Sequence, residues 1–407
     1  MVEPLKRSVH EVPEFKHNYS VFRFISGNVI SFCGDQIYLI AIPLMVLAIT
    51  GSPLSMGLVA ALERLPILFQ PLTGILADRY NRKYLLLLCD MARSIIVGLI
   101  GVLFIFDLLE IWFLYSGAFI IGLLSQVYNT AQFASIPRLV RKGDLQAVNS
   151  INTGLFNTAV LVAPGLGGLI ISFYNPGYAL LLNSFSFLVA FFAILSINLK
   201  QEPQKLNKKR SFWIDIKEGF QFVIQTKPIL FTNVAMLASI FGTTLFLTMI
   251  IFHLTDTINL TVEQTGILIS IGGIGAIAGA LVTNSLSKRY SYRRILFVSS
   301  FIGGVSIVLF GIASTYFLLI IFNALGTFAA SLMNPCIVTI RQTLTPDHLL
   351  GRVQATSRFM TWILMPLAAF LAGLLANEFG TNFTIILGGT VSTFASVFYL
   401  HRSLKYN

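Results

Sequence analysis

Between Phe22 and Leu400 the sequence is a succession of apolar runs of helical length, separated by short polar links. A hydrocarbon core of about 30 Å is crossed by roughly 20 residues of α-helix, and in lipid each backbone amide must be satisfied within the structure itself. That pattern leaves one economical solution, a bundle of membrane-spanning helices. The first six runs are Phe22–Ile49, Leu54–Ala77, Tyr84–Phe106, Ile111–Ile136, Ala147–Phe173 and Gly177–Leu199. The later ones are Ile229–Leu254, Thr265–Leu286, Ile295–Ala313, Tyr316–Ile340, Val353–Ala376 and Asn382–Leu400. At this length they make about twelve crossings. Only 11% of the 407 residues are charged and 55% are hydrophobic, which is too little charge to cover a water-soluble protein of this size.

The links alternate in charge. One set holds Arg79, Arg82 and Lys83, then Arg138, Arg141 and Lys142, then Lys288, Arg289, Arg293 and Arg294, then Arg341 and Arg352. The other set, around Gly51, Asp107–Glu110, Asn175, Asp256–Glu263, Thr315 and Glu378, has no Lys or Arg. The positive-inside rule then places both termini in the cytoplasm of a multi-pass protein. The net charge of +11 sits in these clusters, so it is a topology signal and not a nucleic-acid surface. Residues 1–20 are expected to be a cytoplasmic tail, because the run that follows is too long for a cleaved signal peptide. Cys33, Cys89 and Cys336 lie within apolar runs without a CxxC pair, which argues against a disulfide framework or a zinc site.

Residues 21–199 and 229–400 form two six-span halves, joined by a hydrophilic linker at 200–228, with a short tail at 401–407. Within the linker Phe212, Trp213, Ile216, Phe220 and Val223 recur at helical spacing opposite Asp215, Lys217, Glu218 and Gln221. This predicts an amphipathic helix, either lying at the cytoplasmic interface or packed on the bundle. The halves repeat: the stretch from Leu76 to Leu85 matches that from Leu286 to Ile295 in position and in its Arg-Tyr core. Six spans, a linker and six more of the same orientation imply a parallel repeat about an axis along the membrane normal.

Gly74-Ile-Leu-Ala-Asp78-Arg79-Tyr-Asn-Arg82-Lys83 resembles the signature G-x-x-x-D-R-x-G-R-R/K of the major facilitator superfamily. Asn81 stands where that family usually has Gly, and Asn tolerates the left-handed turn that Gly would supply. Ala163-Pro164-Gly165-Leu-Gly167-Gly168 resembles the G-P-x-x-G-G motif of exporter and antiporter branches. There a Pro and small residues let helices approach closely and rock. Gly34-Asp35, Asp90-x-x-Arg93 and Leu350-Gly-Arg352-Val353 are similar to the macrolide-efflux and enterobactin-exporter group. The Arg that many drug/proton antiporters carry early in the fourth span is replaced here by Ile121, so roles assigned to it do not transfer.

Ionisable groups in hydrocarbon cost roughly 2.5–3.5 kcal/mol on insertion scales, so each points to a cavity, a partner or a task. Asp35, Glu63 and Arg64 come to comparable depth in two antiparallel spans and are the expected proton-coupling group, with Asp35 the carrier. Asp90 and Arg93, three residues apart on one helical face, are expected to join Gly74, Asp78, Arg79, Arg82 and Lys83 in a cytoplasmic gate. Arg358 would pair with Asp78 or Asp90 across the two halves. Asn28, Ser31, Gln126, Tyr128, Asn129 and Gln132 are neutral polar groups among many Phe residues and describe a cavity for a large, mostly apolar ligand. Gly275-x-x-x-Gly279 reads as a close helix contact and His253 as an interfacial residue.

The resemblance implies a secondary active exporter of amphipathic small molecules in the bacterial inner membrane. Its expected partners are protons and membrane lipid, and its expected unit is a monomer. No cofactor, metal or nucleic acid is called for, and no Walker motif supplies ATP. A lipid or lysophospholipid translocator and a metal or siderophore transporter are the alternatives. From another class, a non-transporting sensor or scaffold is disfavoured by the buried charges, and an enzyme by the want of a nucleophile and base.

Overall fold

The computed structural model describes residues 13, 17–70, 73, 76, 80–197, 212–346 and 349–405. Within them the chain is all helix, in the order α1 (Tyr19–Thr50), α2 (Pro53–Arg64), α3 (Arg82–Ile105), α4 (Ile111–Leu139), α5 (Leu145–Phe173) and α6 (Pro176–Leu195). Then follow α7 (Phe212–Gln225), α8 (Lys227–Phe252), α9 (Val262–Arg289), α10 (Tyr292–Ile312), α11 (Tyr316–Leu344), α12 (Leu350–Trp362) and α13 (Met365–Ala395). The starts are set by local chemistry. Asn18, Ser52 and Asn175 cap α1, α2 and α6 with their side chains, and Thr261 and Gln264 form a capping box at α9.

Three interruptions modify the expected spans. The second is α-helical only to Arg64 and continues as a 3₁₀ turn at Leu65–Phe69, because Pro66 withholds an amide hydrogen bond from the preceding turn. The chain also bends between α12 and α13, just before Pro366. The third break is at Gly380. Ten helices among the described residues are long and apolar enough to cross a membrane, and the last, Leu350–Leu400, has 51 residues. A straight helix of that length would span about 75 Å, more than twice the hydrocarbon thickness. Gly380, at φ +84° and ψ 162°, divides it. The Asn382 amide reaches the Gly311 carbonyl at one end of α10, whereas Arg293 at the other end of α10 bonds the Leu400 carbonyl. The final segment therefore runs back towards the end rich in Arg and Lys, called here the basic end.

The helices sort into two bundles. In the first, α1 packs on α5 and α6, α3 on α4 and α6, and α2 on α4. In the second, α8 packs on α13, α9 on α11, and α10 on α11 and α13. Two seams join the bundles, α5 against α9 and α2 against α13. Both are closed by glycines far from the basic end. A Cβ on Gly57 would fall 2.5 Å from the Gly373 Cα, and one on Gly168 would fall 3.1 Å from the Gly266 Cα. Nearer the basic end α5 is largely exposed between Ile151 and Thr158, and nothing lies within 4 Å of a Cβ built on Gly154. The α5–α9 seam thus closes at one end and leaves α5 uncovered towards the other.

The linker helix α7 is docked on the second bundle. Glu218 pairs with Arg352, Gly219 lies against the Arg352 backbone and Thr356, and Val223 is buried with Ile229, Leu349 and Val353. Of the two expected placements, the described part of α7 takes packing on the bundle. Gly275 and Gly279 do form a close contact, against the Ala324 and Phe328 carbonyls of α11.

Candidate functional site

Where the bundles meet, a narrow cleft of about 70 Å³ is lined by Tyr38 and Pro43 of α1, Val59, Glu63 and Arg64 of α2, and Thr248 and Ile251 of α8. Its walls are apolar apart from this carboxylate, this guanidinium and two hydroxyls. An Arg64 Nη donates to the Ala60 carbonyl at 3.2 Å, which holds the guanidinium back along α2. The Glu63 backbone carbonyl lies against Gly122 of α4, an approach that leaves no room for a larger residue there. Asp35 stands one helical turn before Tyr38, half-buried, and among the described residues it has no hydrogen bond or ion pair. The charges that act on it are Arg93 and Glu63. Asp35 thus lies in the fields of Arg93 and Glu63, and Arg64 acts on Glu63.

Asp90 and Arg93 lie elsewhere than expected. They are 0% and 2% exposed, and an Arg93 Nη donates to Asp90 Oδ1 at 2.6 Å. The guanidinium is sandwiched between the Tyr128 and Phe187 rings, at 4.1 and 4.3 Å. This is a sealed pair inside the first bundle and not part of a surface cluster. The apolar stem and flat head of Arg allow it to stack where a solvated loop cation would not. The Tyr128 hydroxyl in turn donates to Asn28 at 2.5 Å, and Asn28, Ser31 and Tyr128 are all buried. Those three close on the interior of the bundle instead of facing the cleft, since a buried polar group needs a partner more than a view of the cavity. Gln126 and Gln132 are half-buried and Asn129 is exposed.

The remaining gate residues divide. Gly74, Asp78 and Arg79 lie outside the described residues. Arg82 begins α3, and Asn81 before it has φ −64° and ψ 113°, an N-cap whose side chain accepts from the Lys83 amide. The left-handed turn expected of Asn81 is replaced by a cap, the other role to which Asn is suited. Lys83 donates to the carbonyls of Leu195 and Ile197, tying α3 to the end of α6 within one bundle. Arg358 stacks on Trp362 of its own helix at 4.4 Å. Asp90, one of its two proposed partners, is already held by Arg93.

Pro164, Gly165 and Gly168 sit on the α5–α9 seam, while Gly167 turns to the first bundle. The Gly165 amide donates to Ser270 at 2.7 Å, the Pro164 carbonyl meets Gly266, and Gly167 faces Ile37 of α1. Other polar groups escaped the sequence reading. Asn183 and Ser186 of α6 are buried against Gly34, and an isolated Asn in the apolar sixth span was their signal. Arg341, counted as a loop cation, is 6% exposed and donates to the Asn233 amide oxygen at 2.8 Å. His253 is buried at the end of α8 and bonded to Thr381 at 2.9 Å.

A family model described as Transmembrane secretion effector matches residues 15–405. The multidrug efflux pump Tap of Mycolicibacterium fortuitum is 26% identical, covering 87% of this chain and 88% of its own. Macrolide efflux protein A of Streptococcus pyogenes is 22% identical over 90% and 91% of the two chains. The staphyloferrin A transporter of Staphylococcus aureus is 23% identical over 94% and 96%. Among solved structures, the nucleoside transporter NupG superposes with a TM-score of 0.77 at 14% identity, over 94% of this chain and 99% of that one. A bacterial homologue of the iron transporter ferroportin, in its inward-facing state, gives 0.76 at 16% identity, over 95% and 99%. The chain belongs to the Transmembrane secretion effector family of major facilitator transporters, and it is a membrane transporter and not an enzyme.

Proposed function

We propose that the chain exports amphipathic small molecules from a bacterial cytoplasm, with the basic end and both termini on the cytoplasmic side, in exchange for protons. The observation that carries this reading is the cleft at the seam, where apolar walls surround one carboxylate and one guanidinium beside a half-buried, unpaired Asp35. Substrate enters from the basic end, where α5 is uncovered. The two bundles then rock about the glycine seams so that the cleft opens on the opposite side. Gln126, Asn129 and Gln132 supply hydrogen bonds to the cargo, and the apolar walls supply most of its burial. Asp35 carries the proton, because the charge of Asp90 is already matched by Arg93, and the charges of Arg93 and Glu63 act on Asp35 in opposite senses. Two relatives are named for efflux of drugs, which supports a cargo of that kind. The relative named for a siderophore makes a polar iron chelator the second reading.

The test is proton flux in acid-loaded everted vesicles offered macrolides, cationic dyes, lysolipids and a carboxylate siderophore. A cargo in that panel should evoke lumenal alkalinisation in the native protein and none in Asp35→Asn. Unchanged coupling in both Asp35→Asn and Glu63→Gln would overturn the assignment of the proton site. A response to lysolipid alone would move the cargo to the lipid class.

A further inference from the structure

At the basic end of the second bundle, away from the seam, Arg289, Arg293, Arg294 and Lys405 converge on one open cleft of about 550 Å³ with Ser291. They come from two segments more than 100 residues apart: the junction between α9 and α10, which carries Arg289, Arg293 and Arg294, and the last described turn, which carries Lys405. No Asp or Glu lines the cleft, and among the described residues none of the four cations has an ion pair. Arg293 is fixed in place by its bond to the Leu400 carbonyl, yet its Nε is buried without any partner. Topology signalling asks only that cations lie in the loop; it does not ask them to share a pocket.

The floor of this cleft is of the opposite character. Phe297, Val298 and Leu400 line it, and Val298 and Leu400 are 49% and 40% exposed. Phe301 and Val397, one turn further from the basic end, continue the exposed apolar strip. A free phosphate would have no use for such a strip. A molecule with an anionic head and an apolar tail would satisfy both ends at once, the head among the guanidinium groups and the tail along α10 and the end of α13.

We propose that this cleft binds the headgroup of an anionic phospholipid from the leaflet at the basic end. Guanidinium groups of Arg289 and Arg294 and the Lys405 ammonium hold the phosphate, and Ser291 bonds a headgroup hydroxyl. The first acyl carbons lie on Val298 and Leu400. The site needs only that the chain sits in a bilayer with its basic end at one surface, so it stands apart from the proton and cargo assignments.

The experiment uses the full chain in detergent, with phosphatidylglycerol or phosphatidylcholine of identical acyl chains added, and counts retained lipid by native mass spectrometry. Phosphatidylglycerol should be retained in preference. Each cation removed should weaken that retention about fivefold, the value of one cation at a charged surface. Arg289→Gln, Arg294→Gln and Lys405→Gln are made singly and together, so a poorly folding triple variant leaves the single variants to decide. A control combining Arg23→Gln, Arg138→Gln and Lys217→Gln removes equal charge elsewhere and should keep the preference. An unchanged preference in the cleft variants would overturn the site, and so would equal loss in the control. Displacement of phosphatidylglycerol by millimolar inorganic phosphate would overturn it in favour of a free-anion site.

Discussion

Arg93 is held from four directions: Asp90 in line, Tyr128 and Phe187 on its two faces, and the field of Asp35 beyond. Removing one partner from such a pair leaves a charge sealed from water, which costs about 3–5 kcal/mol. Arg93→Met should therefore lower the thermal midpoint of the purified protein sharply, and adding Asp90→Asn should restore more than half of the loss. If the double variant melts no higher than the single one, the pair is not the source of the penalty. The sequence carried the pairing in its three-residue spacing, but not its depth. Asp90 and Arg93 lie about two and three turns from a loop in a chain where cations mark loops, so proximity to Arg82 and Lys83 suggested a surface cluster. Only the rings of Tyr128 and Phe187, from other spans, turn that position into an interior. Arg341 repeats the lesson in the second bundle, where Asn233 and Met236 of α8 receive a guanidinium that its own segment would leave at the surface.

At the scale of elements, most of the helices could be located from hydropathy alone, because lipid leaves an apolar run of this length little else to do. What hydropathy missed were the points where backbone chemistry intervenes, at Pro66, before Pro366 and at Gly380. The linker helix was legible as an amphipathic period, while its partner was not: Leu349 and Val353, which cover Val223, are more than 120 residues away in sequence. This docking gives α7 a testable stability of its own. Val223→Asp would bury a carboxylate among Ile229, Leu349 and Val353, and α7 should detach. Hydrogen exchange should then lose protection from Lys217 to Gln225 while α8 and α12 keep theirs. Protection unchanged in α7 would show that the Glu218–Arg352 pair and lipid hold it without this contact. Part-exposed ion pairs of that kind contribute about 1 kcal/mol or less, so loss of protection is expected.

Across the whole molecule, the two bundles meet through backbone more than through side chains. A Cβ at Gly57 would come within 3 Å of the Gly373 Cα and amide nitrogen and of the Ala369 carbonyl, and backbone at that distance cannot give way. Gly57→Leu should therefore pry the halves apart at this end and favour the opposite opening. In a background with the native cysteines replaced, Gly154→Cys should react quickly with a membrane-impermeant maleimide supplied from the basic end, and severalfold more slowly once Gly57→Leu is added. An equal rate would mean that this seam does not govern the opening. The turn at Gly380 has a consequence of a different kind, for how the protein is made. A single exposed glycine in a conformation open to few other residues reverses the chain, so nothing longer than a turn is delivered to the far face. The crossings on either side of Gly380 thus have no loop between them, an arrangement suited to insertion as one hairpin. The second bundle is complete only with the segment after Gly380, because α8 meets it at Gly388 and α10 meets it at Ile385 and Thr393.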